Sequence, residues 1–266
     1  MKPQGTRAFL CSLTLLAFWA FPYPAISGEV SLGVASNFTY TTRELAERFK
    51  AETGHTATAS FGSTGKLYAQ IRNGAPFDVF MAADARRPML LEEEQASVPG
   101  TRFTYARGKL VLWLPTPDGL GKDGSGTNAE SYLSQQPFMR LAIANPKTAP
   151  YGLAAQQVLT HLGHWQTLQG KLIRGDSISQ AFQFVVSRNA QAGLVALSQV
   201  RAWTGQPGTL WIVPQAYYQP IEQQLILLKQ GANNEAAQAW IRFMGSETAI
   251  AIIRRHGYET GNHKAE

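Results

Sequence analysis

The chain of 266 residues has one cysteine, Cys11, and it lies inside an apolar run near the N-terminus. The chain beyond that run can hold neither a disulfide framework nor a thiolate metal site. Histidine is sparse too: His55, His161, His164, His256 and His263 show no HxxxH or HExxH spacing. His161 and His164 read as cations at a helix end, where they complement the dipole. No GxSxG nucleophile elbow is present. The GSTGK of 62–66 echoes a phosphate loop but lacks the GxxxxGK[ST] spacing. No basic stripe alternates with aromatics, and the only basic pairs are Arg86-Arg87 and Arg254-Arg255. Despite a pI near 9.5, a nucleic-acid partner is therefore not expected. Fixed-period repeats, low-complexity tracts and long linkers are absent as well.

The N-terminus carries an export pattern. Lys2 and Arg7 precede the apolar run 8–21, then Pro22 and Pro24, then Ala25-Ile26-Ser27 before Gly28. Such a basic, then apolar, then small-residue order predicts a signal peptide over 1–27, cleaved after Ser27, and a periplasmic product. The run is short for a membrane span, and Cys11 sits within it rather than at its end, which argues against a lipid anchor. Of 24 Lys and Arg, removal of Lys2 and Arg7 leaves 22 against 18 acidic residues, a net charge of +4. Such a mild positive field helps collect a small anion.

The rest of the chain alternates strand and helix patterns, which predicts an α/β fold with largely parallel pairing. Strands are expected over 30–35, 56–61, 77–82, 107–114, 141–144, 171–174, 192–197 and 221–229. Helices are expected over 39–52, 66–72, 151–162, 176–189, 234–244 and 247–255. Residues 116–127, rich in Pro, Gly and Asp, read as a surface loop. Gly54 closes the first helix, and Pro150 suits the first turn of the third.

Four strand-to-helix turns stand out: Ser36-Asn37, Ser63-Thr64, Pro150-Tyr151 and Ser177-Ile178. Any one alone reads as an N-cap. Four in sequence after apolar strands point to a ligand beyond the carboxyl ends of a sheet, where helices begin. A helix start offers unpaired N–H groups and a positive dipole end, a ready anion site. No carboxylate stands centrally in these turns, and Asp176 is expected to cap its own helix. Neutral donors of this kind suit a fully deprotonated dianion. Hydrogen phosphate would need an acceptor for its proton.

Two other chemistries compete. Tyr217-Tyr218 is a possible metal-binding tyrosine pair, as in ferric or other metal-binding transport proteins. The plainer reading has one ring packed and one at a domain crossing. A secreted phosphate-ester enzyme acting through GSTGK is the other, against which Lys66 reads as a solvated helix residue. Asp78 and Asp84 flank a strand and read as capping or inter-strand groups rather than an acid–base pair.

Several segments together resemble the periplasmic molybdate-binding proteins of ABC importers, the ModA family: GVASNFT (33–39), SFGSTGKLYAQIRNGAPFDVFMAAD (60–84), RFTYARGKLVLW (102–113), ANPKTAPYGLAAQQVLTHLG (144–163), GLVALSQV (193–200) and YYQPIEQQ (217–224). The resemblance spans nearly all of the chain after the signal. It implies a type II periplasmic binding protein: two α/β lobes with mixed, mainly parallel sheets and crossing hinge strands. Lobe 1 is expected over 28–108 and 219–266, and lobe 2 over 109–218. It implies no enzyme activity, no cofactor and no direct protein–metal ligand, with molybdate or tungstate held as the oxyanion. The implied partners are the membrane permease and ATPase of an importer, and a monomer is expected. The implied anion-binding residues are Ser36 and Asn37, Ser63 and Thr64 (Thr64 aligning with the family's binding serine), and Tyr151 and Ile178 through backbone N–H groups. One departure is Ala196, where some family members carry a ligand tyrosine.

Overall fold

A computed structural model describes residues 27–117, 120 and 126–260. The expected signal peptide falls, but for Ser27, outside the described residues, as do His263 and much of the expected 116–127 loop.

The chain builds two lobes, each on a five-stranded mixed sheet. Strands β1 (Glu29–Ala35), β2 (Thr56–Gly62), β3 (Val79–Met81), β4 (Phe103–Gly108) and β10 (Ile221–Leu227) form the first sheet. Their order is β2-β1-β3-β10-β4. Strands β5 (Leu110–Leu114), β6 (Leu141–Ala144), β7 (Leu172–Gly175), β8 (Ala192–Ala196) and β9 (Thr209–Ile212) form the second. That order is β7-β6-β8-β5-β9. Parallel pairing holds for β2-β1-β3 and β7-β6-β8, and the remaining neighbours pair antiparallel. In each sheet four strands therefore run the same way and one is reversed, β10 in the first and β5 in the second, so the sheets are mixed and mainly parallel, as expected.

Unbroken apolar runs form these strands because both sheet faces are covered. Along β5, Leu110, Leu112 and Leu114 enter one core cluster, while Val111 and Trp113 enter the other. The same alternation divides Leu225 and Leu227 from Ile226 in β10. In the first lobe the helix α1 (Thr39–Thr53) lays Leu45 and Phe49 on the sheet and ends at Gly54, whose φ of 74° is the left-handed turn glycine tolerates. The amphipathic helices α8 (Glu235–Met244) and α9 (Glu247–Arg255) close that face, with Phe49 edge-on to Trp240 at 5.0 Å. In the second lobe Trp113 stacks on Phe182 at 5.0 Å.

Three expectations are corrected. The apolar stretch 107–114 is not one strand: β4 ends at Gly108, β5 begins at Leu110, and they belong to different sheets. The chain crosses between lobes at Lys109, and again between Ile212 and Ile221. The helices α3 (Arg86–Glu93), α4 (Gly126–Gln135) and α7 (Leu197–Arg201) and the strand β9 were not expected. Asp176 does not cap a helix: Ser177 is the N-cap of α6 (Ile178–Val186), its Oγ accepting from Gln180 N at 3.3 Å.

Candidate anion site

Each of the four turns leaves the carboxyl end of a strand. Ser36 follows β1 and opens a short 3₁₀ turn, Ser36–Phe38, ahead of α1. Ser63 follows β2 and is the N-cap of α2 (Thr64–Arg72). Ala35 is in register with Gly62, so these two turns leave neighbouring strands side by side. Pro150 and Tyr151 open α5 (Pro150–His161) beyond β6, and Ile178 opens α6 beyond β7. Ala144 is in register with Gly175, so these two also lie side by side.

The two pairs meet across the cleft. Ser179 Oγ donates to Ser36 O at 2.9 Å, and Ser179 N to Ser36 Oγ at 3.5 Å. Gly65 N donates to Thr148 O at 2.9 Å, joining the second turn to the third. A side chain at Gly65 would place its Cβ 3.0 Å from that carbonyl, so this close approach favours glycine. Lys66 Nζ and Asp176 Oδ2 pair at 2.7 Å, joining the second turn to the fourth. Ala35 and Ala83 of the first lobe share one buried cluster with Ala149, Tyr151 and Ile178 of the second.

All six expected site residues are buried. Their hydrogen bonding separates them. Thr64 Oγ1 accepts from Ala83 N at 3.0 Å. Ser63 Oγ, which has no capping bond in its own helix, has no partner at all, although the residue is only 4% exposed. A buried hydroxyl without a partner costs free energy of about 1–3 kcal/mol. Its place at a helix start, among three other helix starts, is one where a hydroxyl can donate to an anion. Asn37 is fixed from behind. Its Nδ2 donates to Gln223 Oε1 at 2.7 Å, and its carbonyl accepts from Tyr258 OH at 2.8 Å and from Ser198 Oγ at 3.2 Å.

Tyr151 offers its backbone end to the cleft while its ring runs into the crossing between the lobes. The hydroxyl faces Gln223 and lies so close to Gly108 that an added Cβ there would sit 2.0 Å away. Burial, reinforced by Tyr258, Tyr218 and Tyr105, pushes its ionisation well above the ordinary tyrosine range. Burial does the same to Tyr105 and Tyr258, so these hydroxyls stay neutral. Ala196, buried, precedes α7 and brings no hydroxyl.

The site is free of net charge. Two nearby ion pairs neutralise each other's charges, Arg87 with Asp84 and Lys66 with Asp176. Asp84 Oδ1 also accepts from Arg87 N at 3.0 Å, and Asp78 Oδ2 accepts from Ser31 N at 2.8 Å, so both carboxylates are structural. The tyrosine pair is engaged elsewhere. Tyr217 OH donates to Glu130 Oε1 at 2.7 Å, its ring stacked 4.2 Å from that of His161, and Tyr218 OH accepts from Leu110 N at 3.1 Å. Among the described residues no group of three or more His, Cys, Asp or Glu could hold a metal ion.

Sequence reasoning missed Ser179, Thr148, Gln223 and Tyr258. Thr148 and Gln223 lie in segments it singled out, and Ser179 directly follows the fourth turn, but their partners come from the opposite lobe or a distant part of the chain.

Comparison with known proteins agrees with this architecture. Residues 30–259 match the family model for bacterial extracellular solute-binding proteins. The chain is 45% identical to the molybdate-binding protein ModA of Rhodobacter capsulatus, over 97% of this chain and 98% of that one. It is 46% identical to ModA of Azotobacter vinelandii, over 88% and 91%. The solved periplasmic molybdate-binding protein of A. vinelandii superposes with a TM-score of 0.81 at 40% identity, covering 88% of this chain and all of that one. These relatives are substrate-binding proteins of transport systems, not enzymes. The chain belongs to the bacterial extracellular solute-binding proteins and, among them, to the ModA family.

Proposed function

We propose that the protein captures molybdate, and tungstate with it, in the periplasm and delivers it to the permease and ATPase of an ABC importer. One observation carries the reading: the buried, partnerless Ser63 Oγ stands at one of four converging helix starts, where Lys66 and Asp176 are paired with each other. Lobe 1 (28–108 and 219–266) contributes Ser36, Asn37, Ser63 and Thr64. Lobe 2 (109–218) contributes the N–H groups of Tyr151 and Ile178. The anion bridges them and favours the closed form by hinge closure. Molybdenum is held only as the oxyanion, and the ligand undergoes no chemistry. The protein acts as a monomer after removal of 1–27.

Selectivity arises from the neutral donors. Sulfate is smaller and leaves donors unsatisfied, at about 1–3 kcal/mol per buried group. Hydrogen phosphate brings a proton that finds no carboxylate. Tungstate matches molybdate in size and charge and is bound alongside it. A ligand that binds only the folded state raises the melting temperature. Molybdate and tungstate should each do so, while sulfate and phosphate at the same concentration should not. A shift with phosphate alone would overturn the reading.

A further inference from the structure

A cavity of about 250 Å³ opens beside the anion site, between the lobes. Ser36, Thr39 and Arg43 line it from the first lobe, and Ser177, Ser179 and Gln199 from the second. It therefore touches Ser36 and the residue before Ile178, both at the site. Exposed Tyr40 and Phe61 form its apolar wall. Arg43 is the one charged residue in this lining, and no carboxylate accompanies it. Its guanidinium lies 5.9 Å from the centre of the Tyr40 ring, and no ion pair to it is formed among the described residues. Glu44, the adjacent acid, is taken by Arg255 and by His256, whose Nε2 lies 2.7 Å away.

Resting on the reading of this site as an oxyanion site, we propose that Arg43 is a positioning residue for capture: it draws the dianion into this vestibule, from which the neutral donors take it. Charge placed outside the site speeds encounter with any dianion. Charge placed inside would hold any dianion and erase the discrimination that neutral donors give. The arrangement separates rate from selectivity. Arg43 governs how fast the anion arrives, and the buried donors govern which anion stays.

The test is stopped-flow tryptophan fluorescence of the exported protein mixed with molybdate. Arg43→Gln should lower the association rate constant about 2- to 10-fold at low ionic strength. The difference should vanish near about 0.5 M salt, where the Debye length falls to a few Å. The dissociation rate should not change, and Arg43→Lys should restore the wild-type rate. An unchanged association rate at low salt overturns the proposal, as does a slowing that persists at high salt. Failure of the wild type to bind molybdate at equilibrium would strike the molybdate reading instead. The same kinetics would then be run with whichever of tungstate, sulfate or phosphate binds, since steering depends on charge and not on the central atom. Absence of binding by all four would overturn both.

Discussion

Lys66 Nζ lies 2.7 Å from Asp176 Oδ2, and this ion pair ties the helix start after β2 to the one after β7. Both side chains are more than half exposed. Exposed pairs of this kind contribute about 0.2–1 kcal/mol, so the pair steadies the closed arrangement without holding the anion. Lys66→Ala should weaken molybdate binding by no more than about 5-fold, and less in high salt. The double reversal Lys66→Asp, Asp176→Lys should recover the loss. Titration calorimetry at two salt concentrations checks both expectations. A loss of two orders of magnitude would place Lys66 on the ligand.

Ser63 and Thr64 adjoin, yet only the Thr64 hydroxyl has a protein partner. Ser63→Ala removes a buried hydroxyl that lacks a protein partner. Ligand-free stability in urea should hold or rise, while molybdate affinity falls about 10- to 100-fold, as for loss of a hydrogen bond to a charged group. Thr64→Ala strips the acceptor from Ala83 N. It should cost stability of about 1–3 kcal/mol as well as affinity, and weaken binding far more than Lys66→Ala does. Thr64→Ser should restore stability.

Gly108 ends β4 against the Tyr151 hydroxyl, where a Cβ would meet the oxygen at 2.0 Å and the ring carbon at 2.8 Å. Gly108→Ala should therefore destabilise by about 1–3 kcal/mol, the usual cost of overpacking, and weaken molybdate binding by misplacing the start of α5. Parallel denaturation and binding curves test this. Equal stability and affinity would mean that the crossing tolerates the side chain.

The pH dependence has two parts. Among the described residues no histidine lies in the four turns, so molybdate affinity should be flat across about pH 6 to 8, where histidine changes charge. Stability should fall in alkali. Burial raises Tyr105, Tyr151 and Tyr258 above the ordinary value of 10.0. The folded state thus keeps protons that the unfolded chain gives up. Their contribution is complete below about pH 10 and is lost as pH climbs from there towards the folded values. At the acid end, the His256 hydrogen bond and the Arg255 contacts, against opposing burial, lower Glu44 from 4.5. Its contribution is present above that value and is lost as pH falls below it. Melting temperatures across the range, with tyrosinate absorbance followed in alkali, test both signs.

The sequence marks the positions of the four turns because their chemistry is local: a strand end, a hydroxyl or proline, and a helix start within a few residues. It also outlines most strands and helices through apolar periodicity. The change of sheet at Lys109 is not legible, since 107–114 reads as one apolar run and each half pairs only with distant chain. The helix α3, which begins Arg86-Arg87-Pro88, was missed; at its start Asp84 accepts from Arg87 N. Which hydroxyl of Ser63-Thr64 is left without a partner depends on Ala83, nineteen residues on. The roles of Arg43, Ser179 and Asp176 arise only when the lobes are brought face to face.

The most direct measurement is titration calorimetry of the exported protein with molybdate, tungstate, sulfate and phosphate under one buffer condition. One site is expected, with molybdate and tungstate bound alike and sulfate at least about 10-fold weaker, the difference that one or more unsatisfied buried donors would make. No heat with molybdate, or equal affinity for sulfate, would contradict a charge-free site built for a larger, fully deprotonated oxyanion.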